Sequence, residues 1–283
     1  MRSSHHRNHH ARRLLCLTAL ACFVAGGAAY ACTRKAAVPQ LPELPAESLA
    51  QPASALPETP VQQPAEYGAQ QSLLTAAQAQ AILDDPRMIL VSRTHPITED
   101  YPVETKECGS ATANKTLQTE AAEAFLSMQA AAAKDGVDVR MQSGYRSVSY
   151  QKKLYDNKTQ YYRDKGLSEA AAREKAAVIV NPPGCSEHNC GLAADLNSPE
   201  HTTLDTGFAD TAAFRWLCEN AEQYGFILRY PKEAESVTGI TYEPWHWRYV
   251  GPENAALLNR SGLCLEDAIA VLQRIAAGET VTG

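Results

Sequence analysis

The chain has 283 residues with a formal net charge of -6 and a pI near 5.8. An acidic protein gains no long-range attraction to a phosphate backbone or an anionic bilayer, which argues against nucleic acid or a charged membrane surface as a partner. No phosphate-cradling glycine loop and no internal repeat occurs.

Arg2, Arg7, Arg12 and Arg13 form a positive amino-terminal region ahead of an apolar run from Leu14 to Ala31. Ala29-Tyr30-Ala31 reads as a small-residue cleavage site, so residues 1–32 are expected to act as an export signal. The run is close to the roughly 20 residues that a spanning helix needs, so it could also serve as an uncleaved membrane anchor. Cys32 directly after the small residues fits a lipoprotein attachment site, although Ala29 and Tyr30 make a poor lipobox. All three outcomes place the rest of the chain outside the cytoplasm. The histidines at 5, 6, 9 and 10 then belong to this end and not to a metal site.

Residues 33–74 carry Pro39, Pro42, Pro45, Pro52, Pro57, Pro60 and Pro64 among Ala, Gln and Glu. Such a chain favours extended polyproline II at about 3.1 Å per residue and reads as a linker, reaching on the order of 100 Å. Residues 75–283 suffice for one compact domain.

Within that domain the patterns predict a helix over 75–83, a strand over 88–91 and a long alanine-rich amphipathic helix over 115–134, ended by Gly136. A strand over 137–142 leads into a turn containing Arg146. Residues 148–180 form two helices divided by Gly166-Leu167-Ser168, and Asn181-Pro182-Pro183-Gly184 breaks the pattern. The segment from His188 to Leu196 enters a strand, 211–224 is helical, and 226–230 and 245–250 are strands rich in aromatic and β-branched residues. Helices over 252–259 and 265–277 close the chain. The sum is an α+β domain, a small, mainly antiparallel sheet flanked by helices.

Two short segments concentrate the chemistry: Ser186-Glu187-His188-Asn189-Cys190-Gly191-Leu192-Ala193-Ala194-Asp195 and Glu243-Pro244-Trp245-His246. A structural zinc is closed by four protein ligands, whereas a catalytic zinc keeps one position for water and lowers that water's pKa to about 7. His188, Asp195 and His246 make such an open set, and Glu243 is suited to take the proton and pass it to a leaving amine. The helical signature with two histidines four residues apart is absent.

These residues resemble the VanY-type D-alanyl-D-alanine carboxypeptidases, which share their fold with the VanX-like dipeptidases. The resemblance spans about residues 88–265. It runs through Ile89-Leu90-Val91, Ser143-Gly144-Tyr145-Arg146-Ser147, the Ser186-to-Asp195 segment, Arg229-Tyr230-Pro231-Lys232 and Glu243-Pro244-Trp245-His246-Trp247-Arg248-Tyr249-Val250-Gly251. It implies a zinc site in a cleft on the sheet, with His188, Asp195 and His246 as ligands to Zn2+ and Glu243 as catalytic base. Arg146 would hold a substrate oxygen or the oxyanion, a task suited to a planar, permanently charged guanidinium. Gln151 and Ser186 match positions lining the substrate cleft. The implied substrates are peptidoglycan stem peptides or their precursors, with lowered glycopeptide binding or ordinary wall remodelling as the consequence.

Other readings stand beside this one. The Ser-Glu-His and Glu-Pro-Trp-His motifs also occur in L,D-carboxypeptidases acting on tetrapeptide stems, and a wall-binding module with a structural zinc would need no Glu243. Taken singly, Asp195 is also a turn-capping residue, Glu243 a solvated strand-end charge, and Trp245 and Trp247 packing residues. His95 and His201 read as loop residues. Five cysteines fall in the domain, at 108, 185, 190, 218 and 264, an odd number that cannot all pair internally. In an oxidising compartment the expected pairs are Cys185 with Cys190 and Cys218 with Cys264.

Overall fold

In a computed structural model the described residues are 74–109 and 115–279. The proposed signal segment and nearly all of the linker lie outside them. Among the described residues no helix is long and apolar enough to cross a membrane.

The first helix, α1 (Ala76–Leu83), is started by a capping box in which the Thr75 hydroxyl accepts from the Gln78 amide and the Gln78 side chain answers the Thr75 N–H. No strand follows at 88–91. Asp85 caps a 3-10 turn over Pro86–Met88, and the carbonyls of Arg87 and Ile89 accept from Arg248 Nη2, each at 2.8 Å. A buried guanidinium therefore uses the acceptors that a neighbouring strand would have taken.

Strands β1 (Thr105–Glu107) and β2 (Thr116–Gln118) pair antiparallel. The residue pattern predicts the long helix already from 115, but Thr116–Gln118 is a strand. The helix α2 (Thr119–Lys134) begins later because the Gln118 side chain caps the amides of Glu120 and Ala121. It buries Ala121, Ala122, Phe125, Met128 and Ala132. This 3–4 spacing is one apolar stripe of an α-helix.

A four-stranded antiparallel sheet then assembles from β3 (Arg140–Ser143), β4 (Ala193–Asn197), β5 (Phe226–Leu228) and β6 (His246–Tyr249), in the order β3-β4-β6-β5. Successive side chains on a strand point to opposite faces. Ala194, Leu196, Trp247 and Tyr249 join the core cluster that also holds Phe125 and Met128 of α2. Asp195, His246 and Arg248 alternate with them and belong to the other face.

Between β3 and β4 lie α3 (Val148–Asp164) and α4 (Glu169–Ile179), capped by Ser147 and Ser168. Between β4 and β6 lie α5 (Ala212–Asn220), capped by Thr211, and the short α6 (Glu235–Thr238). The closing helices α7 (Pro252–Ser261) and α8 (Leu265–Ala276) build a second cluster from Val250, Leu258, Leu265, Leu272 and Ile275 together with Ala79 and Met88. The α+β reading therefore holds, with a 16-residue α2 in place of the longer helix and with β1, β2 and α6 unforeseen.

All five described cysteines are free, which overturns both expected disulfides. The Cys190 sulfur is turned to the Glu187 carbonyl at 3.0 Å, and the Cys185 sulfur faces the Pro183 carbonyl. Cys264 contacts Asp267 at 3.5 Å.

Candidate active site

Sheet register assembles the site. Asp195 on β4 stands opposite Ser143 on β3 and opposite His246 on β6. Just before β4 the chain makes a 3-10 turn over Glu187–Cys190 that carries His188. The turn ends at Gly191 with φ +73°, where a Cβ would lie 2.8 Å from Val103 Cγ1 and 3.0 Å from the Gln118 amide nitrogen. Only glycine fits that left-handed, crowded position. The next strand then starts at the offset that brings His188 back over Asp195.

The three sequence-predicted ligands converge. His188 Nε2 lies 3.2 Å from Asp195 Oδ2, and His246 Nδ1 lies 3.2 Å from Asp195 Oδ1. One ligand atom from each residue lies within 4.8 Å of the others, and all three side chains are buried. Asp195 Oδ1 nevertheless makes no hydrogen bond. A buried carboxylate oxygen left unbonded beside two imidazole nitrogens is suited to meet a cation once the imidazoles are neutral, and two imidazole nitrogens with one carboxylate oxygen suit zinc. The residues fit the metal.

His188 Nδ1 lies 2.7 Å from the Gly144 carbonyl. That bond requires the Nδ1–H tautomer, so Nε2 is free for coordination. Charge is divided unequally among these groups. Burial lowers the pKa of His188, and the nearby Arg146 cation lowers it further. Burial also opposes charge on His246, but Asp195 and Glu187 outweigh it and raise the imidazole to about 9. The Asp195 carboxyl is held well below the usual range despite burial, because the two imidazoles favour its anion.

Glu243 Oε2 lies 3.6 Å from His246 Nδ1. Its backbone is fixed at both ends, by the Glu243 amide donating to the Tyr230 carbonyl and the His246 amide donating to the Glu243 carbonyl, both at 3.1 Å. Burial pushes the Glu243 carboxyl up to about 7. A carboxylate poised there both accepts and returns a proton near neutrality.

Arg146 enters from the turn after β3, where its amide donates to the His188 carbonyl at 3.0 Å. Its Nη2 is 3.9 Å from Asp195 Oδ2, and its Nε is buried with no partner. Gln151 donates to the Asn181 carbonyl at 2.7 Å and leaves its own Oε1 unbonded. These residues, Ser186, the ligand triad and Glu243 line a single cleft of about 460 Å³. Val178 and Ile179, exposed at the end of α4, add apolar surface to its lining. His95 and His201 are not in the cluster. His201 instead bonds Asp205 at 2.7 Å in a surface loop.

Sequence reasoning quoted Glu187, Arg229, Tyr230 and Arg248 within motifs but gave them no role. Glu187 is fully buried, and its Oε1 accepts from Arg229 Nε and Arg248 Nη1, each at 2.7 Å. The Tyr230 ring lies against His246, with centroids 4.8 Å apart. A two-residue alternation of polar side chains on a strand as apolar as Trp247 and Tyr249 make β6 is the signal that pointed inward.

An open N2O donor set on an α+β sheet, with a carboxylate beside it and a cation across the cleft, defines a metal-dependent hydrolase of the peptidase type. A family model described as VanY, D-alanyl-D-alanine carboxypeptidase, matches residues 114–252. The D-alanyl-D-alanine carboxypeptidase of Enterococcus faecalis is 36% identical over 199 residues, covering 70% of this chain and 71% of that protein. A mutant of the vancomycin resistance D,D-pentapeptidase VanY, solved in complex with Zn(II), is 37% identical with a TM-score of 0.54, covering 65% of this chain and 98% of that one. The LdcB LD-carboxypeptidase is 33% identical with a TM-score of 0.57, covering 68% of this chain and 87% of that one. The chain belongs to the VanY family of D-alanyl-D-alanine carboxypeptidases, and its fold is that of the VanY zinc peptidases.

Proposed function

We propose that this protein is an exported, zinc-dependent D-alanyl-D-alanine carboxypeptidase that removes the terminal D-alanine from peptidoglycan stem peptides or their precursors. The observation that carries the reading is the meeting of buried His188, Asp195 and His246 with Glu243 in one cleft. His188 Nε2, His246 Nδ1 and an Asp195 oxygen would hold the zinc. When bound, zinc supplies a Lewis acid that makes water nucleophilic near neutral pH and polarises a carbonyl.

The remaining work falls to the chain's own side chains. Glu243 takes a proton from the attacking water and delivers it to the leaving amino group as the C–N bond breaks. Arg146, which lines the cleft, holds the substrate's carboxylate or the oxygen on which negative charge develops. Gln151 Oε1 and Ser186 offer the peptide polar partners at the wall. The exposed apolar residues Val178 and Ile179 also line the cleft and offer the peptide an apolar surface.

Export rests on the positive-then-apolar segment over residues 2–31 and the proline-rich linker that follows it, with the catalytic domain over 75–283. Such a chain works in the cell-wall space, tethered or released, where trimming D-Ala-D-Ala ends weakens glycopeptide binding. A second reading is favoured by the likeness to an LD-carboxypeptidase at 33% identity, in which the bond cleaved is that of a tetrapeptide stem.

One experiment separates them. The zinc-loaded protein is incubated with muropeptides ending in pentapeptide or tetrapeptide, and the products are weighed by mass spectrometry beside a Glu243→Ala control. Loss of one alanine from pentapeptide alone supports the D,D reading, and loss from tetrapeptide moves the enzyme to the L,D class. No loss from either sinks the carboxypeptidase reading. Zinc retained by an inactive Glu243→Ala variant separates an enzyme from a binding module.

A further inference from the structure

The reaction as drawn makes no use of Glu187, although its carboxylate is among the most buried charges in the protein. Its two oxygens have different surroundings. Oε1 is saturated by Arg229 Nε and Arg248 Nη1. Each guanidinium is fastened from behind, Arg229 by both oxygens of Glu266 at 2.8 and 2.6 Å, and Arg248 by the carbonyls of Arg87, Ile89 and Tyr249. Two carboxylates and two guanidiniums leave this cluster neutral, so its burial is tolerated.

Oε2 has no hydrogen-bond partner, and neither does His246 Nε2. These two orphaned atoms face each other at 3.5 Å. Buried polar atoms without partners are rare and costly, and a facing carboxylate oxygen and ring nitrogen satisfy one another when the nitrogen carries hydrogen.

We infer that Glu187 is the positioning residue for His246, accepting its Nε2–H and so holding the Nδ1 lone pair towards Asp195. The inference rests on the metal site proposed above. It explains why two imidazoles meet one aspartate through different nitrogens. The Gly144 carbonyl fixes His188 for coordination through Nε2, while Glu187 fixes His246 for coordination through Nδ1. A carboxylate behind a metal-bound imidazole sets its tautomer and orientation and strengthens it as a ligand. Arg229 and Arg248 clamp that carboxylate through its Oε1, leaving Oε2 for His246.

The test is long-range proton–nitrogen NMR on the full chain with 15N-labelled histidine, loaded with zinc, and it needs no variant. His246 is expected to be metal-bound at Nδ1, with a slowly exchanging proton on Nε2. Coordination through Nε2, or an Nε2 proton that exchanges as fast as one open to solvent, overturns the inference. A second arm uses Glu187→Gln. The arginines donate, so the amide oxygen turns to them and its NH2 faces His246, which favours the wrong tautomer. Zinc affinity by chelator competition should fall about 10- to 100-fold while near-ultraviolet circular dichroism reports a retained fold. A folded Glu187→Gln that binds zinc as tightly as the parent also overturns it. Failure of the parent chain to bind zinc at all is a separate result, which removes the metal site beneath the inference.

Discussion

Asp195 and His246 occupy directly opposed positions on neighbouring antiparallel strands, with Oδ1 and Nδ1 3.2 Å apart. Opposed residues on one face of such a pair are close by construction. The Asp195–His246 half of the candidate metal site is therefore a property of strand register.

If the proposed site takes zinc, the extra proton on His246 must leave before its Nδ1 can bind the metal. With that imidazole raised to about 9 and Glu243 at about 7, zinc binding between these pH values should release close to one proton from His246. Zinc affinity should rise about tenfold per pH unit over that window and level off above it. Calorimetric titration in buffers of differing ionisation enthalpy measures the released proton.

Arg146→Lys keeps the cation but loses the planar fork. If the guanidinium holds the substrate carboxylate or oxyanion through two bonds, kcat/KM should fall by about 10²–10³, a loss on the scale of removing one oxyanion donor. Zinc affinity should stay within about threefold of the parent, since the Arg146 nitrogen is 3.9 Å from Asp195 and is not a ligand. Steady-state kinetics on a pentapeptide and chelator competition give the two numbers.

Gly191→Ala tests the turn that delivers His188. The left-handed backbone costs a non-glycine residue about 1–2 kcal/mol, and forcing the methyl against Val103 and the Gln118 backbone adds about 1–3 kcal/mol. The midpoint of urea unfolding should shift down accordingly. An unchanged midpoint would show that the turn relaxes freely.

Acid should dissolve the Glu187 cluster. Burial opposes the Glu187 charge, but Arg229 and Arg248 outweigh it and hold the carboxyl well below its ordinary range. A carboxyl depressed in the folded state contributes stability that is fully present above its unfolded pKa of about 4.3 and is lost as pH falls towards the folded value. Stability should thus be flat on this account above about pH 5 and decline steadily below it. Urea midpoints measured across that range in the parent and in Glu187→Gln check it, because the variant should lack this part of the slope.

Much of the helical framework was legible because local chemistry encodes it. Thr75, Ser147, Ser168 and Thr211 each cap the helix expected after them, and Gly136 takes positive φ just past α2. The failures have physical causes too. The segment 88–91 has strand-like residues, but its Ile89 carbonyl serves Arg248, a partner 159 residues away. Thr116–Gln118 looked like the first turn of a helix, yet these residues pair with β1. The disulfide expectation came from an oxidising compartment and, for Cys185 and Cys190, from closeness along the chain, neither of which says where a sulfur points.

The sequence by itself determined the kinds of atoms available: two imidazoles, an aspartate, a glutamate and an arginine in short motifs, and with them the family and the class of chemistry. Motif spacing carries that information because neighbours along a turn or strand keep their residue types at fixed offsets. Tertiary structure alone decided which nitrogen of each histidine faces Asp195, that Glu243 sits at about pKa 7, and that Glu187 stands behind His246 between two arginines. Those properties depend on burial and on contacts between residues 42 and 61 positions apart, and chain-local pattern has no term for either.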